Sequence, residues 1–326
     1  MVFGWGGYFY GGITELEEQL IRLRDAGWDA IRPYGAQPWR SGLHYTQAEI
    51  DYVVSRADEL GITVYLDLMH NYPPSDYLAG HKQEWIDFWF QQGTRFNNYN
   101  NVVIEAVNEW DAPNPTTQYA WYNDLLTALR NAGITLPILF NYSQYTTAYQ
   151  KPGQYQLLND PIDNYMIGIH RYGNAFDDTY PATLPTNLDS FAEQIGVSDW
   201  MRTKFELANG EYSNEWHIRE RLGKQLCVTE LGCSYNVGNQ CRTGGYEMSP
   251  GNMAWVMKYL EYAKKHNANI ILHRIGSYDD YHCYYQFAQD YFAQNFWTPP
   301  TPPPPPLPST LPLILIGGLF FLLSRG

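Results

Sequence analysis

Short apolar runs alternate with longer amphipathic segments along most of the chain. The runs are rich in valine, isoleucine and leucine, which is typical of strands buried on both faces of a parallel sheet. Between them, apolar residues recur three or four positions apart and predict helices. Strands are predicted at eight places, namely 2–9, 28–32, 63–68, 102–107, 137–140, 165–170, 225–230 and 269–273.

Capping motifs mark several of the predicted helices. Thr14 with Glu17, and Thr46 with Glu49, have the spacing of a capping box, in which side chains satisfy the first free backbone N–H groups of a helix. Glycine at 27, 61 and 133 is predicted to end a helix. Helices are predicted at 14–26, 46–60, 81–96, 117–132, 252–266 and 284–296, with two or three pieces in 187–222 and room for a short one in 145–160.

Eight strand-like runs, each followed by a helix-sized segment, predict an α/β fold in which one (β/α)8 TIM barrel occupies residues 1–297 as a single domain. A doubly wound sheet shares this alternation. However, the glycines near the first strand lack the spacing and helix context of a phosphate-binding loop. The barrel is therefore favoured over two domains.

The chain changes character after the predicted barrel. Residues 298–310 are dominated by proline and predict an extended linker. Residues 311–326 form an apolar tail, whose apolar stretch is shorter than the ~17–25 residues of a spanning helix. A membrane anchor or sorting signal and an unstructured end both remain open. No export signal is visible at the N-terminus, yet the tail favours an extracellular or cell-surface location.

Composition narrows the classes of partner. The net charge is −13 without a basic stripe, which argues against a nucleic-acid partner. Aromatic residues make up 16% of the chain, and tyrosine and tryptophan offer stacking surfaces for sugar rings as well as core packing. Cys227 is predicted to be a buried thiol, whereas two of Cys233, Cys241 and Cys283 could pair. The cysteine spacing argues against a zinc site, and no metal site is predicted.

Polar residues cluster where the predicted strands end. In a (β/α)8 barrel these ends share one mouth, where active sites are built. The residues are Arg32, His70, Asn108, Glu109, Asn141, His170, Tyr172, Glu230, His273 and Arg274. Glu109 and Glu230 come from strands four and seven, roughly across the mouth. Two carboxylates in an aromatic-rich cleft suit glycoside hydrolysis, which needs an acid and a nucleophile or base.

Four motifs resemble those of glycoside hydrolase family 5 and the wider retaining barrel clan. Val102–Glu109 is similar to its fourth-strand signature, and His170–Tyr172 to its sixth-strand His-x-Tyr. The stretch ending at Glu230 resembles its nucleophile motif, and Arg32 its strand-two arginine. Together these matches run from residue 1 to about 296, in order and on the expected strands.

The resemblance implies roles for these residues. Glu109 would be the acid/base, and Asn108 would bind the sugar 2-hydroxyl. Glu230 would be the nucleophile, kept ionised by Arg32 and Tyr172. His170 would belong to the same site. His70 stands one residue later than the family's usual histidine, so a subsite role and a loop role both remain open.

The chain departs from the family at strand eight. The family usually ends this strand with a tryptophan under the sugar, whereas residues 270–274 contain none. Trp39, Trp110 and Trp297 are candidate replacements. Trp110 stands directly after Glu109, where the family often has proline, and is predicted to help shape the sugar site.

The sequence therefore predicts a retaining endo-β-glucanase or endo-β-mannanase. It would cleave a β-1,4-linked polysaccharide or oligosaccharide as a monomer, without metal or organic cofactor. Two other classes stay open. One is a non-catalytic carbohydrate-binding or surface protein on a degenerate barrel, and the other is a transglycosylase.

Overall fold

The chain forms a closed barrel of parallel strands. The computed structural model describes residues 2–70, 78, 80–110, 112, 114–141, 156–172, 188–201, 222–232 and 250–273. Within these ranges eight strands pair in sequence order, and β1 closes the barrel against β8. The predicted (β/α)8 fold is confirmed.

All eight predicted strands are present, with shifted ends. They are β1 (Phe3–Gly7), β2 (Ala30–Pro33), β3 (Thr63–Leu66), β4 (Val102–Glu105), β5 (Ile138–Asn141), β6 (Tyr165–Tyr172), β7 (Leu226–Gly232) and β8 (Asn269–Leu272).

Helices cover the outside of the barrel. Those in the described ranges are α1 (Gly12–Asp25), α2 (Gln47–Leu60), α3 (Lys82–Phe96), α4 (Pro115–Asn131), α5 (Leu188–Gln194), α6 (Val197–Met201) and α7 (Pro250–Lys265). The last three correspond to the segments predicted at 187–222 and 252–266.

The capping box at α2 is confirmed. The Oε2 atom of Glu49 accepts from the backbone N of Thr46 at 2.7 Å, and the Thr46 hydroxyl accepts from the backbone N of Glu49 at 3.3 Å. Gly61 ends the helix with a left-handed φ of 70°, a conformation that glycine adopts without steric cost.

Two other predicted helix starts are wrong. Thr14 does not cap α1, because the helix already begins at Gly12 and the carboxylate of Glu15 binds the backbone N of Gly11 instead, at 2.7 Å. The helix predicted from 117 begins at Pro115, since Asn114 caps it. Proline suits the first helical position because the missing N–H would be unpaired there anyway.

The barrel interior has an apolar floor. A separate cluster of buried residues takes one side chain from each of six strands. It consists of Ala30, Tyr65, Val103, Leu139, Cys227 and Ile271. Their strand neighbours pack with the helices in the larger core instead. Because successive side chains on a strand point to opposite faces, the first set fills the inside of the barrel. Cys227 is a buried free thiol, as predicted.

Several predictions lie outside the described residues. They are the helix at 284–296, the linker and tail at 298–326, the stretch 145–155, and Cys233, Cys241, Cys283 and Trp297. Among the helices that are described, none combines the length and apolar character needed to cross a membrane. Surface anchoring remains a prediction.

Replacing Thr46 with alanine should lower the free energy of unfolding by about 1 kcal/mol, because it leaves the first N–H groups of α2 without their cap. Thr14→Ala is the control and should stay within about 0.5 kcal/mol of wild type, since Thr14 is exposed and caps nothing. Urea denaturation followed by circular dichroism measures both. Equal losses in the two variants would contradict the observed helix starts.

Candidate active site

A layer of polar side chains lies directly above the apolar floor. Each member stands two positions after a floor residue, on the same strand or directly after its end, so the twofold period of the strand turns it inward as well. These residues are Arg32, Asp67, Glu105, Asn141, Thr229 and His273. All of them are buried. This polar layer sits at the C-terminal ends of the strands, where a (β/α)8 barrel carries its active site.

Arg32 is the centre of the polar layer. Its guanidinium donates two hydrogen bonds to Glu105, at 2.6 and 2.7 Å, and one to Glu230 at 2.9 Å. It also donates to Oδ1 of Asn108 at 2.8 Å and lies 3.0 Å from Asp67. Burial alone would lower the pKa of Arg32, but the charges of Asp67 and Glu105 raise it well above its usual value.

Glu230 is contacted on both carboxylate oxygens. Oε1 accepts from Arg32 and lies 3.8 Å from Nδ1 of His70. Oε2 lies 3.3 Å from Nδ1 of His170 and 3.3 Å from Nδ1 of His273. The predicted partnership of Arg32 with Glu230 is therefore present, and Oε1 holds the shorter hydrogen bond.

The surroundings keep Glu230 ionised. Burial alone would raise the pKa of Glu230, but the neighbouring histidines and Arg32 lower it well below its usual value. Arg32 is the permanent charge that maintains this state, because burial and the nearby cations lower the pKa of His273 to about 4 despite the charge of Glu230. A group with the low pKa of Glu230 fits a nucleophile.

Glu109 leaves β4 through a strained backbone. Its φ is 37°, in the left-handed region that non-glycine residues rarely adopt. Its Oε1 atom lies 2.6 Å from Nδ1 of His170, and its side chain remains 10% exposed. Strain of this kind persists only where surrounding contacts hold it, and it clusters at functional sites.

His170 lies between the two carboxylates. A register shift in the β6–β7 ladder falls between Ile169 and His170, and bulges of this kind often re-aim a side chain. Nδ2 of Asn141 lies 2.8 Å from Nε2 of His170 and donates to it, so the neutral ring carries its proton on Nδ1, toward Glu109. Burial lowers the pKa of His170, but the charges of Glu230 and Glu109 raise it by more.

The other predicted site residues have mixed outcomes. Asn108 is buried and bound to Arg32, and His70 is brought beside Glu230 although it stands one residue late in the sequence. His70 also lies 2.5 Å from Asp67. Tyr172 belongs to β6, but its side chain lies outside the described part of the chain. Its role remains a prediction.

Trp110 and Trp39, the two candidate tryptophans that the structure describes, both pack against other rings. Trp110 is fully buried and packs on Trp121 and Tyr122, with ring centroids 5.0 and 5.9 Å away. It therefore offers no open face for stacking, although a supporting role beneath the site fits this position. Trp39 stacks on His81 at 4.7 Å.

Three functional candidates were not predicted: Asp67, Glu105 and Tyr34. Asp67 and Glu105 contact Arg32, while burial and Asp67 raise the pKa of Glu105 despite that contact. Tyr34 stacks on His70 at 4.2 Å. The signal for the two acids was the strand alternation, which places each of them two positions after an inward-facing residue.

Glu109, His170 and Glu230 bring potential ligand atoms within 4.8 Å of one another. The 2.6 Å contact between His170 and Glu109 has the length of a hydrogen bond, so a proton lies between the two atoms. We therefore interpret this cluster as an acid–base group. Two carboxylates with different surroundings at the mouth of a (β/α)8 barrel define the class of barrel glycosidases.

Comparison with known proteins gives the family. A family model for cellulase (glycosyl hydrolase family 5) matches residues 20–279. The chain belongs to this family and is a glycosidase. No curated protein sequence matches it.

Solved structures share the fold. Cellulose synthase subunit Z from Clostridioides difficile aligns with a TM-score of 0.60 at 17% identity, over 84% of this chain and 92% of that one. Cel5A from Thermotoga maritima, in complex with mannotriose, gives 0.58 at 14%, over 84% and 90%. A broad-specificity endoglucanase from Clostridium longisporum gives 0.60 at 12%, over 89% and 94%.

Glu230→Gln should remove part of the loss of stability in acid. Because the folded-state pKa of Glu230 is lowered, its carboxylate stabilises the fold above the unfolded pKa of about 4.3. That contribution is lost as the pH falls through the folded-state pKa. The difference in unfolding free energy between wild type and variant should therefore shrink below about pH 4. Urea denaturation at several pH values measures it, and a difference independent of pH would contradict the assignment.

Proposed function

We propose that the chain is a retaining endo-glycosidase that cleaves β-1,4-linked glucan or mannan. The observation that carries this proposal is the pair Glu109 and Glu230, whose oxygens approach within 4.8 Å in different surroundings. Retaining enzymes hold their carboxyl groups ~5–5.5 Å apart, whereas inverting enzymes hold them ~6.5–9.5 Å apart to admit a water. The short separation favours retention.

Glu230 would be the nucleophile. Its Oε1 is committed to the guanidinium of Arg32, while the contacts of Oε2 with His170 and His273 are longer, at 3.3 Å. Oε2 would therefore attack the anomeric carbon. Arg32 keeps the carboxylate ionised and orients it before the substrate arrives, which reduces the reorganisation needed in the transition state.

Glu109 would be the acid/base. It lacks the direct guanidinium contact of Glu230, and Nδ1 of His170 is its hydrogen-bond partner. In the first step the Glu109 carboxyl would give its proton to the leaving oxygen while Glu230 bonds to the sugar. In the second step the Glu109 carboxylate would take a proton from water, whose oxygen displaces Glu230 with a second inversion.

The substrate class is supported by the family and by similar structures. The family is described as cellulase, one neighbour was solved with mannotriose, and another is a broad-specificity endoglucanase. Together with a further neighbour described as an endo-β-1,4-glucanase, these descriptions favour a β-1,4-linked glucan or mannan. Asn108, fixed by Arg32, would donate through its amide nitrogen to the sugar 2-hydroxyl.

Glu109→Gln should lower kcat on cello- or manno-oligosaccharides by about 10²- to 10⁴-fold, because the leaving oxygen loses its proton donor. An aryl glycoside whose leaving group needs no proton should form the glycosyl-enzyme at a much less reduced rate, visible as a burst of aryl alcohol. Glu230→Gln should lose activity on both substrates. Equal losses on both substrates for Glu109→Gln would refute its role as acid.

Proton NMR of the first product should show the β-anomer before mutarotation. Double displacement retains the configuration of the substrate, whereas a single displacement by water gives the α-anomer. A glucan, a mannan and a xylan tested in parallel identify the sugar. An initial α-anomer from a β-linked substrate would overturn the retaining mechanism while leaving glycosidase activity in place.

A further inference from the structure

Three aromatic rings form a stack beside the nucleophile. Tyr34, which directly follows β2, lies between His70 and His273, with ring centroids 4.2 and 5.5 Å away and interplanar angles of 3° and 17°. The Nδ1 atoms of both histidines face Glu230, one oxygen each. The stack therefore flanks the carboxylate of Glu230.

The Tyr34 hydroxyl lies in hydrogen-bond contact with His273. Oη of Tyr34 lies 2.8 Å from Nδ1 of His273. Tyr34 is fully buried, and burial raises its pKa well above the usual value, so the hydroxyl keeps its proton. A buried hydroxyl needs an acceptor. Donation from Tyr34 to Nδ1 would place the proton of neutral His273 on Nε2.

The tyrosine ring has little freedom to move. A Cβ at Gly6 would lie 2.4 Å from the Tyr34 hydroxyl and 2.8 Å from its ring. The guanidinium of Arg32, which is on β2, lies over the ring, 4.7 Å from its centroid. Because the ring is stacked and enclosed, its hydroxyl is held at His273 rather than at another acceptor.

We propose that Tyr34 is a positioning residue for the nucleophile, acting through His273. By donating to Nδ1 of His273, it prevents that nitrogen from donating to Oε2 of Glu230. Oε2 is thereby spared one hydrogen bond that would make it a weaker nucleophile. This inference rests on the proposed role of Glu230.

The charges around His273 act in the same direction. It faces Arg32 and Tyr34 from β2, His70 after β3, His170 from β6 and Glu230 from β7. Burial is the largest effect and, together with the charges of His70, Arg32 and His170, it lowers the pKa of His273 to about 4, although Glu230 raises it. The ring is therefore neutral in the range where Glu230 must be ionised.

Removing the hydroxyl should reverse this arrangement. In Tyr34→Phe, Nδ1 of His273 is free to take up a proton and donate it to Oε2, which is 3.3 Å away. That hydrogen bond would make the carboxylate a poorer nucleophile. We expect kcat to fall by about tenfold, the effect of one hydrogen bond of ordinary strength, with little change in KM. The acid limb of kcat/KM should move to higher pH, because a hydrogen bond to the neutral form no longer lowers the pKa of His273.

The first test is a 15N NMR titration of histidine side chains in the full chain without substrate. His273→Asn identifies the His273 signals by their loss. Wild type should show the proton of neutral His273 on Nε2, and Tyr34→Phe should raise the pKa of His273 by about one unit. A proton on Nδ1 in wild type overturns the proposal, even if Tyr34→Phe does not fold. Since this test needs no turnover, it is independent of the proposed activity.

The second test is a set of pH–rate profiles on one oligosaccharide. His273→Asn can accept from Tyr34 but cannot take up a proton, so Tyr34→Phe combined with His273→Asn should lose the upward shift of the acid limb. Tyr165→Phe is the matched control. The buried hydroxyl of Tyr165 accepts from the backbone N of Leu158 at 3.0 Å, and its ring packs in the core between the barrel and the helices. Tyr165→Phe should lower the stability of the fold and leave the acid limb of the pH–rate profile where it is in wild type. An acid limb that moves equally in the single and double variants, or in Tyr165→Phe, would overturn the role of His273.

Discussion

The active site depends on the burial of one guanidinium. Arg32 is completely enclosed, and it is satisfied by three carboxylates and one amide that come from β4, β7 and the residues following β3 and β4. A planar group with donors in a fixed fork can hold several acceptors in one geometry, which a lysine could not do. Removing one partner would leave a buried charge uncompensated, so the members of this network constrain one another.

This network also separates the two candidate catalytic acids. Arg32 reaches Glu230 directly, whereas Glu109 is tied to His170 instead. The same chemical group therefore stands in two electrical environments only a few ångströms apart. Such a separation is what a reaction needs when one carboxyl must attack as an anion and the other must give up a proton. The barrel achieves it by bringing the two residues from different strands.

The sequence was informative about the barrel and about the ends of its strands. All eight strands were predicted, and Arg32, His70, Asn108, Glu109, His170 and Glu230 do meet at one mouth. The polar layer was harder to find, because Glu105 lies inside a run that is apolar on both sides. That Glu105 faces inward follows only once Val103, two positions earlier on the same strand, is known to belong to the apolar floor. The helix starts failed at α1 and α4 for a local reason. Glu15 rather than Thr14 contacts the backbone at the start of α1, and Asn114 caps α4, which begins two residues before the predicted start at 117.

The close packing of the Tyr34 ring against Gly6 has an evolutionary consequence. The aromatic ring at position 34 occupies the volume that any side chain at position 6 would need. Neither position can therefore vary alone: a larger residue at 6 requires a smaller one at 34, and glycine at 6 is useful only while a large ring fills the space. Among related chains the two positions should change together, and the residue facing them from the end of strand eight should change with them.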